Sequence, residues 1–260
     1  TTIDGLYHVT RMIGRGGFGV VYLARHALLR DFVAIKVLPR QLSSDPERIE
    51  RFLREGRAAR AISHPNLVTV YDLRASKDGL TYMVQEYVEG HTLRDELELR
   101  GKFAPGDALV LLEPIAAALD EAHAHGIVHR DLKPDNIMLS VSGAKRTAKL
   151  LDLGIVKLQE ILSEPSGADH NVTHPGHFIG TPSYMSPEQW GTPQEDGGPD
   201  IDGRADVYSF GVVMFEMLSG RQPFRGRSMS EIRRAHLIDP PPLLCETDSL
   251  ISRAFSETLA

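Results

Sequence analysis

The chain has 260 residues, 42% of them hydrophobic and 25% charged, which is ordinary for a globular protein with a sizeable core. Its formal net charge of -6 gives no electrostatic reason to expect nucleic acid or an anionic membrane surface as a partner. The single cysteine, Cys245, excludes an intrachain disulfide and indicates a reducing compartment. The longest apolar run, 207–218, is too short to cross a bilayer. We therefore expect a soluble, cytoplasmic domain with no nucleic-acid or membrane contact of its own.

The first third of the chain is patterned mainly as strands. Segments rich in β-branched and aromatic residues predict strands at 7–13, 20–24, 32–38, 67–73 and 81–86. One helix is predicted at about 45–62, after the third of these strands. This part of the chain therefore predicts a small sheet with one helix.

Beyond Gly90 the chain is patterned mainly as helices. Helices are predicted at 107–125 and 205–218, and a short strand pair at 137–139 and 148–151. Pro114 predicts a kink or a break in the first helix. The irregular stretch 154–190 is too long for a passive connector, so we expect it to be functional. A sheet-rich lobe followed by a helical lobe implies a cleft near residues 86–92.

A glycine cluster, Gly14-Arg15-Gly16-Gly17-Phe18-Gly19, lies between the first two predicted strands. Alone, this spacing fits a flexible hairpin, a dinucleotide-binding unit or a phosphate-binding loop. A dinucleotide fingerprint requires a helix after the glycines, whereas Val20-Val21 predicts a strand. We therefore interpret the cluster as a hairpin whose backbone amides can lie over phosphates with no Cβ atoms in the way.

The segment Val33-Ala34-Ile35-Lys36 places a lysine near the end of the third predicted strand. Such a lysine is either a solvated edge charge or a point charge for the α- and β-phosphates of a nucleotide. A phosphate-binding lysine must be held in place, and the next helix offers Glu47, Glu50 and Glu55 as partners. We favour Glu55, because its helix face would point back at the predicted cleft.

The most specific signal is the segment 129–136, His-Arg-Asp-Leu-Lys-Pro-Asp-Asn. Asp131 can accept a hydroxyl proton and orient the nucleophile. Lys133 can neutralise charge on a transferred phosphoryl group. Asn136 and the downstream Asp152 offer hard oxygen ligands of the kind that Mg²⁺ prefers. A chance charged turn would not explain why Asp-Leu-Gly follows the next predicted strand.

Taken together, these segments resemble the protein kinase signature set: a glycine-rich loop, Val-Ala-Ile-Lys, His-Arg-Asp-Leu-Lys-Pro-x-Asn and an Asp-Leu-Gly triplet. Gly180-Thr181-Pro182 and Ser186-Pro187-Glu188 complete the set in the expected order. The chain resembles Hanks-type serine/threonine kinases and is most similar to their bacterial eukaryote-like branch. The resemblance implies an α+β, bilobal fold. We expect one kinase domain, 1–260, with a small antiparallel sheet lobe and its helix at 7–88, and a larger helical lobe at 89–260 that lacks its final helices.

The resemblance also implies ATP and Mg²⁺ as cofactors, with Mn²⁺ as an alternative metal, and proteins with serine or threonine as substrates. Asp131 is implied as the catalytic base, Lys133 as a γ-phosphate contact, and Lys36 as a phosphate-binding lysine paired with Glu55. The metal ligands would be Asn136 and Asp152, and the nucleotide contacts would be Ile13, Gly14, Gly16, Gly17, Gly19, Val21, Ala34, Lys36, Glu86, Val88 and Met138.

Regulation by phosphorylation is implied by Arg130, which precedes the catalytic aspartate. In kinases with this arrangement a phosphate on the activation loop pairs with the arginine and orders the loop. Thr173 is the best candidate for autophosphorylation, with a homodimer as one route to phosphorylation in trans. Thr181 resembles the serine/threonine class and is implied to bond Lys133 and Asp131.

Several histidines need a separate interpretation. The resemblance implies that His129 is structural and that Asp206 holds the catalytic loop through its backbone amides. His170, His174 and His177 lie close together in sequence, but without cysteine or a defined scaffold we interpret them as solvated loop residues rather than metal ligands.

Two alternatives to an active protein kinase remain open. A pseudokinase scaffold typically lacks one of the catalytic or metal-binding residues, and none is missing here. A small-molecule phosphotransferase would not be expected to carry the peptide-docking segment 180–188. Because the chain stops at Ala260, before the family's last helices, we expect a fragment of a longer protein, which in bacterial relatives often includes a membrane anchor.

Overall fold

The computed structural model describes residues 1–16, 19–38, 46–76, 79–142, 145–152, 182–190, 201–246 and 251–259. The described residues fall into two compact units. The first runs from Thr1 to Glu89, and the second takes the described residues from Gly90 onward. No helix within these ranges combines the length and the apolarity needed to cross a bilayer.

In its described residues, the first unit is an antiparallel sheet with one helix. Its strands are β1 (Thr2–Ile3), β2 (Tyr7–Gly16), β3 (Gly19–His26), β4 (Phe32–Val37), β5 (Val70–Ala75) and β6 (Thr81–Glu86), and its helix is α1 (Pro46–Ala61). The strands are ordered β1-β2-β3-β4-β6-β5 across the sheet. The five predicted strands and the helix are confirmed. The fourth predicted strand begins later than expected, because Leu67 forms only an isolated bridge and the ladder starts at Val70.

The core of this sheet comes from side chains on alternating positions of the central strands. The buried cluster contains Tyr7, Ala24, Val33, Ile35, Tyr82 and Val84. The short edge strand β1 was not predicted, and Asp4, in the turn that follows it, accepts a hydrogen bond from the Tyr82 hydroxyl at 2.6 Å. Burial and this bond raise the pKa of Tyr82 well above its ordinary value. The phenol therefore stays protonated and fastens the turn after β1 to the sheet.

The described part of the second unit is mainly helical and carries a small three-stranded sheet. The elements are β7 (His91–Thr92), α2 (Leu93–Arg100), α3 (Pro105–Ala124), β8 (Ile137–Ser142), β9 (Lys145–Leu150), α4 (Arg204–Ser219), α5 (Met229–Ile238) and α6 (Arg253–Leu259). Short 3₁₀ turns occur at Pro134–Asn136, Pro182–Tyr184, Pro187–Trp190 and Leu244–Glu246. The predicted strand pair corresponds to β8 and β9, which are joined in sheet order β7-β8-β9.

Helix α2 begins at a capping box. The Thr92 hydroxyl accepts from the Asp95 amide at 3.1 Å, and the Asp95 carboxylate accepts from the Thr92 amide at 2.8 Å. Gly90, just before it, has φ 153°, and a Cβ there would lie 1.9 Å from the Leu139 carbonyl oxygen. Only glycine fits at this close approach to β8. The start of the second unit is therefore set by local sequence.

The predicted break at Pro114 is wrong, because α3 continues through this residue from Pro105 to Ala124. A proline inside a helix removes one backbone hydrogen bond and crowds the preceding turn. Here the turns on both sides are fastened by buried apolar side chains, including Leu112 and Ile115, which are fully buried. Tertiary packing therefore overrides the local cost of the proline.

Candidate active site

The glycine cluster is a hairpin between β2 and β3. Its ladder continues to the pair Gly16 and Gly19, and Gly14 pairs with Val21. Gly19 has φ 147°, a backbone conformation that residues with a side chain rarely adopt. Gly17 lies outside the described residues. A strand, not a helix, follows the glycines, so the dinucleotide-binding alternative does not fit.

Lys36 and two predicted nucleotide contacts share one face of the first sheet. Lys36 lies opposite Val21 in the β3–β4 register, and Ala34 is two residues earlier on β4. Because side chains alternate along a strand, these three point to the same side. Lys36 is only 6% exposed, which excludes the solvated edge charge. The side chain of its predicted partner, Glu55, lies outside the described residues, so that pairing stays a prediction.

The remaining predicted nucleotide contacts lie at three places in the chain. Ile13 is on β2, next to the glycine hairpin. Glu86 ends β6, where its amide donates to the Thr69 carbonyl at 2.8 Å, and Val88 follows two residues later. Met138 belongs to β8 of the second unit, where it pairs with Thr92.

Asp206 holds the catalytic loop, as predicted. Its carboxylate is fully buried and accepts from the backbone amides of His129 at 2.8 Å and Arg130 at 2.7 Å. The same carboxylate is hydrogen-bonded to Nε2 of His123 at 2.7 Å. Arg130 has φ 63°, a left-handed conformation that costs a non-glycine residue about 1–2 kcal/mol. The buried carboxylate therefore stabilises a strained turn directly before Asp131.

His129 is a structural member of the loop, as the resemblance implied. Its ring is fully buried, Nε2 is hydrogen-bonded to the Leu151 carbonyl at 3.0 Å, and Nδ1 accepts from the Asp131 amide at 3.2 Å. The neutral tautomer with its proton on Nε2 satisfies both bonds. The ring therefore ties the catalytic loop to the segment that follows β9.

Three predicted catalytic and metal-binding residues converge at one carboxylate oxygen. Asn136 donates through Nδ2 to Asp131 Oδ2 at 2.7 Å, and to the Asp131 carbonyl at 2.8 Å. Lys133 Nζ lies 3.3 Å from the same Oδ2. Burial lowers the pKa of the Lys133 ammonium, against the opposing effect of Asp135 and Asp152. The carboxylate is therefore oriented by an amide and faces a cation.

Asn136 and Asp152 are brought to the same end of the β8–β9 ladder. The Leu151 amide donates to the Asn136 carbonyl at 2.8 Å, and Asp152 follows with φ 39°. Because Asn136 uses its NH₂ group on Asp131, its carboxamide oxygen is the end that can bind a cation. A carboxamide oxygen and a carboxylate are donors that fit Mg²⁺, which takes its other ligands from water and phosphate.

The segment 182–190 is anchored by a buried polar cluster that the sequence analysis did not predict. The Tyr184 hydroxyl bonds Glu216 and Arg94, and it accepts from Gln222 at 3.0 Å. Arg94 pairs with Glu216 at 2.9 Å. Burial raises the pKa of Tyr184 far above its ordinary value. Glu216 within an apolar helix was the available signal, because a buried carboxylate requires a partner.

The same segment packs on His236 of α5. The imidazole is 5% exposed, lies 4.8 Å from the Phe224 ring and 6.2 Å from the Trp190 ring, and is hydrogen-bonded through Nδ1 to the Tyr208 hydroxyl at 2.7 Å. Burial lowers the pKa of His236 from 6.5 to about 4. This neutral histidine therefore has a clear consequence for stability at acid pH.

The free energy of unfolding is expected to fall by about 3 kcal/mol between pH 6.5 and pH 4 because of His236. In that window the unfolded chain binds a proton at this position and the folded chain does not. Urea unfolding at pH 7 and pH 4.5 measures the effect. Between these two pH values His236→Gln should lose less of its free energy of unfolding than the wild type does. His125→Gln, at an exposed histidine, is the control. Its free energy of unfolding should fall between the two pH values by as much as that of the wild type. An equal fall in the free energy of unfolding for the wild type and both variants would contradict the prediction.

The hairpin, the buried strand lysine and the Asp-Lys-Asn loop are features that protein kinase domains share. The protein kinase domain family matches residues 7–255, and the chain belongs to this family. It is 40% identical over 235 residues to serine/threonine-protein kinase PrkC of Bacillus subtilis, covering 90% of this chain and 34% of that protein. It is 43% identical over 224 residues to serine/threonine-protein kinase pkn2 of Myxococcus xanthus, covering 86% of this chain and 25% of that protein.

The solved structures agree with this assignment. A crystal structure of a double mutant of the PknI kinase domain from Mycobacterium tuberculosis matches with a TM-score of 0.70 and 28% identity, covering 100% of this chain and 89% of that chain. The predicted α+β fold class and the resemblance to bacterial serine/threonine kinases are confirmed. Members of this family use ATP and a divalent metal ion. The chain spans about a third or less of the length of these two curated relatives.

Proposed function

We propose that this domain transfers the γ-phosphoryl group of ATP to serine and threonine hydroxyls of proteins. The observation that carries the proposal is the arrangement around Asp131: its Oδ2 is held by Asn136 and faces Lys133, on a loop fastened by the buried Asp206. Relatives at about 40% identity are named serine/threonine-protein kinases, which supports an active enzyme over a scaffold.

In the proposed reaction Asp131 orients the acceptor hydroxyl and takes its proton. A bond forms between the hydroxyl oxygen and the γ-phosphorus, and the bond from the γ-phosphorus to the β–γ bridging oxygen breaks, so that ADP leaves. Lys133 offsets negative charge on the transferred group. Its buried position strengthens this interaction, because charges attract more strongly where water is excluded.

Nucleotide binding is proposed for residues of both units. In the first, the glycine hairpin and Val21 would cover the phosphates, Lys36 would contact them with Glu55 as its partner, and Ala34 would contact adenine. The further contacts proposed are Ile13, Glu86, Val88 and Met138. The shared face of Val21, Ala34 and Lys36 supports this assignment.

We propose Mg²⁺ as the metal, with Mn²⁺ as an alternative, bound by Asn136 and Asp152 together with phosphate oxygens. The ion would supply charge neutralisation at the β- and γ-phosphates. Asn136 would then have two tasks, because its NH₂ group orients Asp131 while its oxygen binds the ion.

The proposal extends to a cytoplasmic location and to partners limited to ATP, protein substrates and a second copy of the chain.

Activation by phosphorylation of Thr173 is proposed, with Arg130 as the cation that pairs with the phosphate and Thr181 as a contact of Asp131 and Lys133. Thr173 and Thr181 lie outside the described residues. Thr173→Ala should lose one phosphate by intact mass and lower kcat by about tenfold or more. Ser163→Ala is the control, and it should keep the phosphate content and the kcat of the wild type. Undiminished phosphate and full activity in Thr173→Ala would refute the site, and a rate of phosphorylation that rises with protein concentration would indicate a second copy as the kinase.

The function is tested by transfer of labelled γ-phosphate from Mg·ATP to the domain itself and to a generic basic protein. The expected result is label on serine and threonine, and none on tyrosine, by phosphoamino-acid analysis. A chelator should abolish transfer, and Mg²⁺ or Mn²⁺ added separately should show which metal restores it. ATP binding without any transfer would refute the proposal and indicate a scaffold.

A further inference from the structure

Gln189 connects two segments of the second unit through a single buried carboxamide. Its Oε1 accepts from the Ser186 amide at 3.0 Å and from the Ser186 hydroxyl at 3.1 Å. Its Nε2 donates to the Arg130 carbonyl at 2.8 Å. Gln189 is 3% exposed and Ser186 is fully buried. The oxygen faces two donors and the nitrogen faces an acceptor, so the orientation of the carboxamide is determined by its partners.

At one end of this connection lies the strained turn of the catalytic loop. Arg130 has φ 63°, and its amide donates to Asp206 Oδ1 at 2.7 Å. Its carbonyl, bonded by Gln189, belongs to the peptide bond that precedes Asp131. Asp206 and Gln189 therefore hold the Arg130 backbone from both sides. Because the second of these bonds sets the plane of the peptide before Asp131, it also sets the direction in which the Asp131 side chain leaves the backbone.

At the other end lies the segment 182–190. Ser186 is followed by Pro187 and the 3₁₀ turn that contains Gln189. Two residues before Ser186, the Tyr184 carbonyl accepts from the Ser209 hydroxyl at 2.8 Å. The segment is thus fastened to α4 at Tyr184 and to the catalytic loop at Ser186. A shift of the segment would therefore be transmitted to the loop through the Gln189 side chain.

We infer that Gln189 is a positioning residue that couples the peptide-docking segment to the aim of the catalytic Asp131. The inference rests on the proposed function, because it takes the segment 180–188, which ends next to Gln189, as the one that docks protein substrates. A buried carboxamide with only a structural role would lower stability when removed and leave turnover per folded molecule unchanged. A positioning role predicts a loss of kcat that exceeds any loss of folded protein.

The test is Gln189→Met, which keeps the length of the side chain and removes all three hydrogen bonds. The kcat toward a generic basic protein should fall about 10- to 100-fold, because a misplacement of about 1 Å at a catalytic group has effects of this order. The KM for ATP should stay within about twofold of the wild-type value, since no proposed nucleotide contact is touched. A kcat within twofold of wild type would overturn the inference.

Two further variants separate positioning from stability. Gln189→Glu keeps acceptors for Ser186 but, as a carboxylate, has no proton for the Arg130 carbonyl, so it should lose as much kcat as Gln189→Met. Ser256→Ala removes a buried side chain that links Cys245 and Ser252, away from the loop. It should lower the melting temperature with kcat unchanged. An equal loss of kcat in Ser256→Ala at a similar loss of stability would also overturn the inference.

Amide hydrogen exchange gives a readout that does not need turnover. In Gln189→Met the amides of Ser186 and Asp131 should both exchange faster than in the wild type. In Gln189→Glu only the Asp131 amide should do so. If the wild-type domain transferred no phosphate, the proposed function would fail, and the exchange data alone would decide whether Gln189 holds the loop. Unchanged exchange at Asp131 in both variants would show that it does not.

Discussion

Asp131→Asn is expected to lower kcat by about 10²- to 10⁴-fold, the range typical of losing a positioned proton acceptor. The asparagine can present its carbonyl oxygen to Asn136 Nδ2 and so preserve the shape of the loop. It cannot take a proton from the acceptor hydroxyl, and it loses the ion pair with Lys133. Single-turnover transfer of labelled phosphate measures the rate, and ATP affinity measured separately should change by less than about threefold.

Asp135→Asn is the matched control for this experiment. It makes the same chemical change four residues away in the same loop, at a side chain that is 48% exposed and lies 3.7 Å from Arg94. Its kcat should stay within about threefold of wild type, because exposed ion pairs contribute little. Comparable rates for the Asp131 and Asp135 variants would show that Asp131 is not the base.

Asp206→Ala is expected to lower the free energy of unfolding by about 3–5 kcal/mol, and kcat of the folded fraction by about 10²-fold. The substitution leaves the His129 and Arg130 amides without their acceptor in a site that is fully buried. It also removes the partner of His123. Without the carboxylate the Arg130 amide loses its acceptor in the left-handed turn, so the orientation of Asp131 would be weakened.

Urea unfolding and single-turnover transfer together measure this prediction. Asp202→Ala is the control, because Asp202 also accepts from a backbone amide near the start of α4, that of Arg204 at 2.9 Å, yet its side chain is 51% exposed. It should lower the free energy of unfolding far less than Asp206→Ala does, because its side chain is exposed, and leave kcat unchanged. Where Asp206→Ala fails to fold, Asp206→Asn tests the same point, since it keeps one acceptor oxygen. Wild-type stability and kcat in the Asp206 variants would contradict the anchoring role.

Local patterns were sufficient to predict the five main strands of the first sheet, the strand pair β8 and β9 and helices α1, α3 and α4, whereas β1, β7, α2, α5 and α6 were not predicted. The strand–glycine–strand order needed only the β-branched residues after Gly19, and Lys36 followed from its place on the next strand. Asp131, Lys133 and Asn136 lie within six residues, so a single turn brings them together whatever surrounds it. Chemistry concentrated in a short segment can be predicted from the residues alone.

Tertiary structure decided the other long-range polar contacts, with the Asp206 anchor of the loop as the exception that the resemblance implied. Gln189 reaches Arg130 across 59 positions of the sequence, Arg94 and Glu216 are 122 apart, and in the first unit the Tyr82–Asp4 bond joins residues 78 apart. Each of these pairs forms because the fold packs its two elements together. Neither the spacing nor the residue types of a pair indicate in a single sequence that the two residues meet. Pro114 shows the same limit, because the helix continues through a proline at which the local sequence predicted a kink or a break. The residues proposed to perform the reaction are local, whereas the buried polar groups that hold them are long-range, because a buried charge or amide takes its partner from whatever element the fold brings to it.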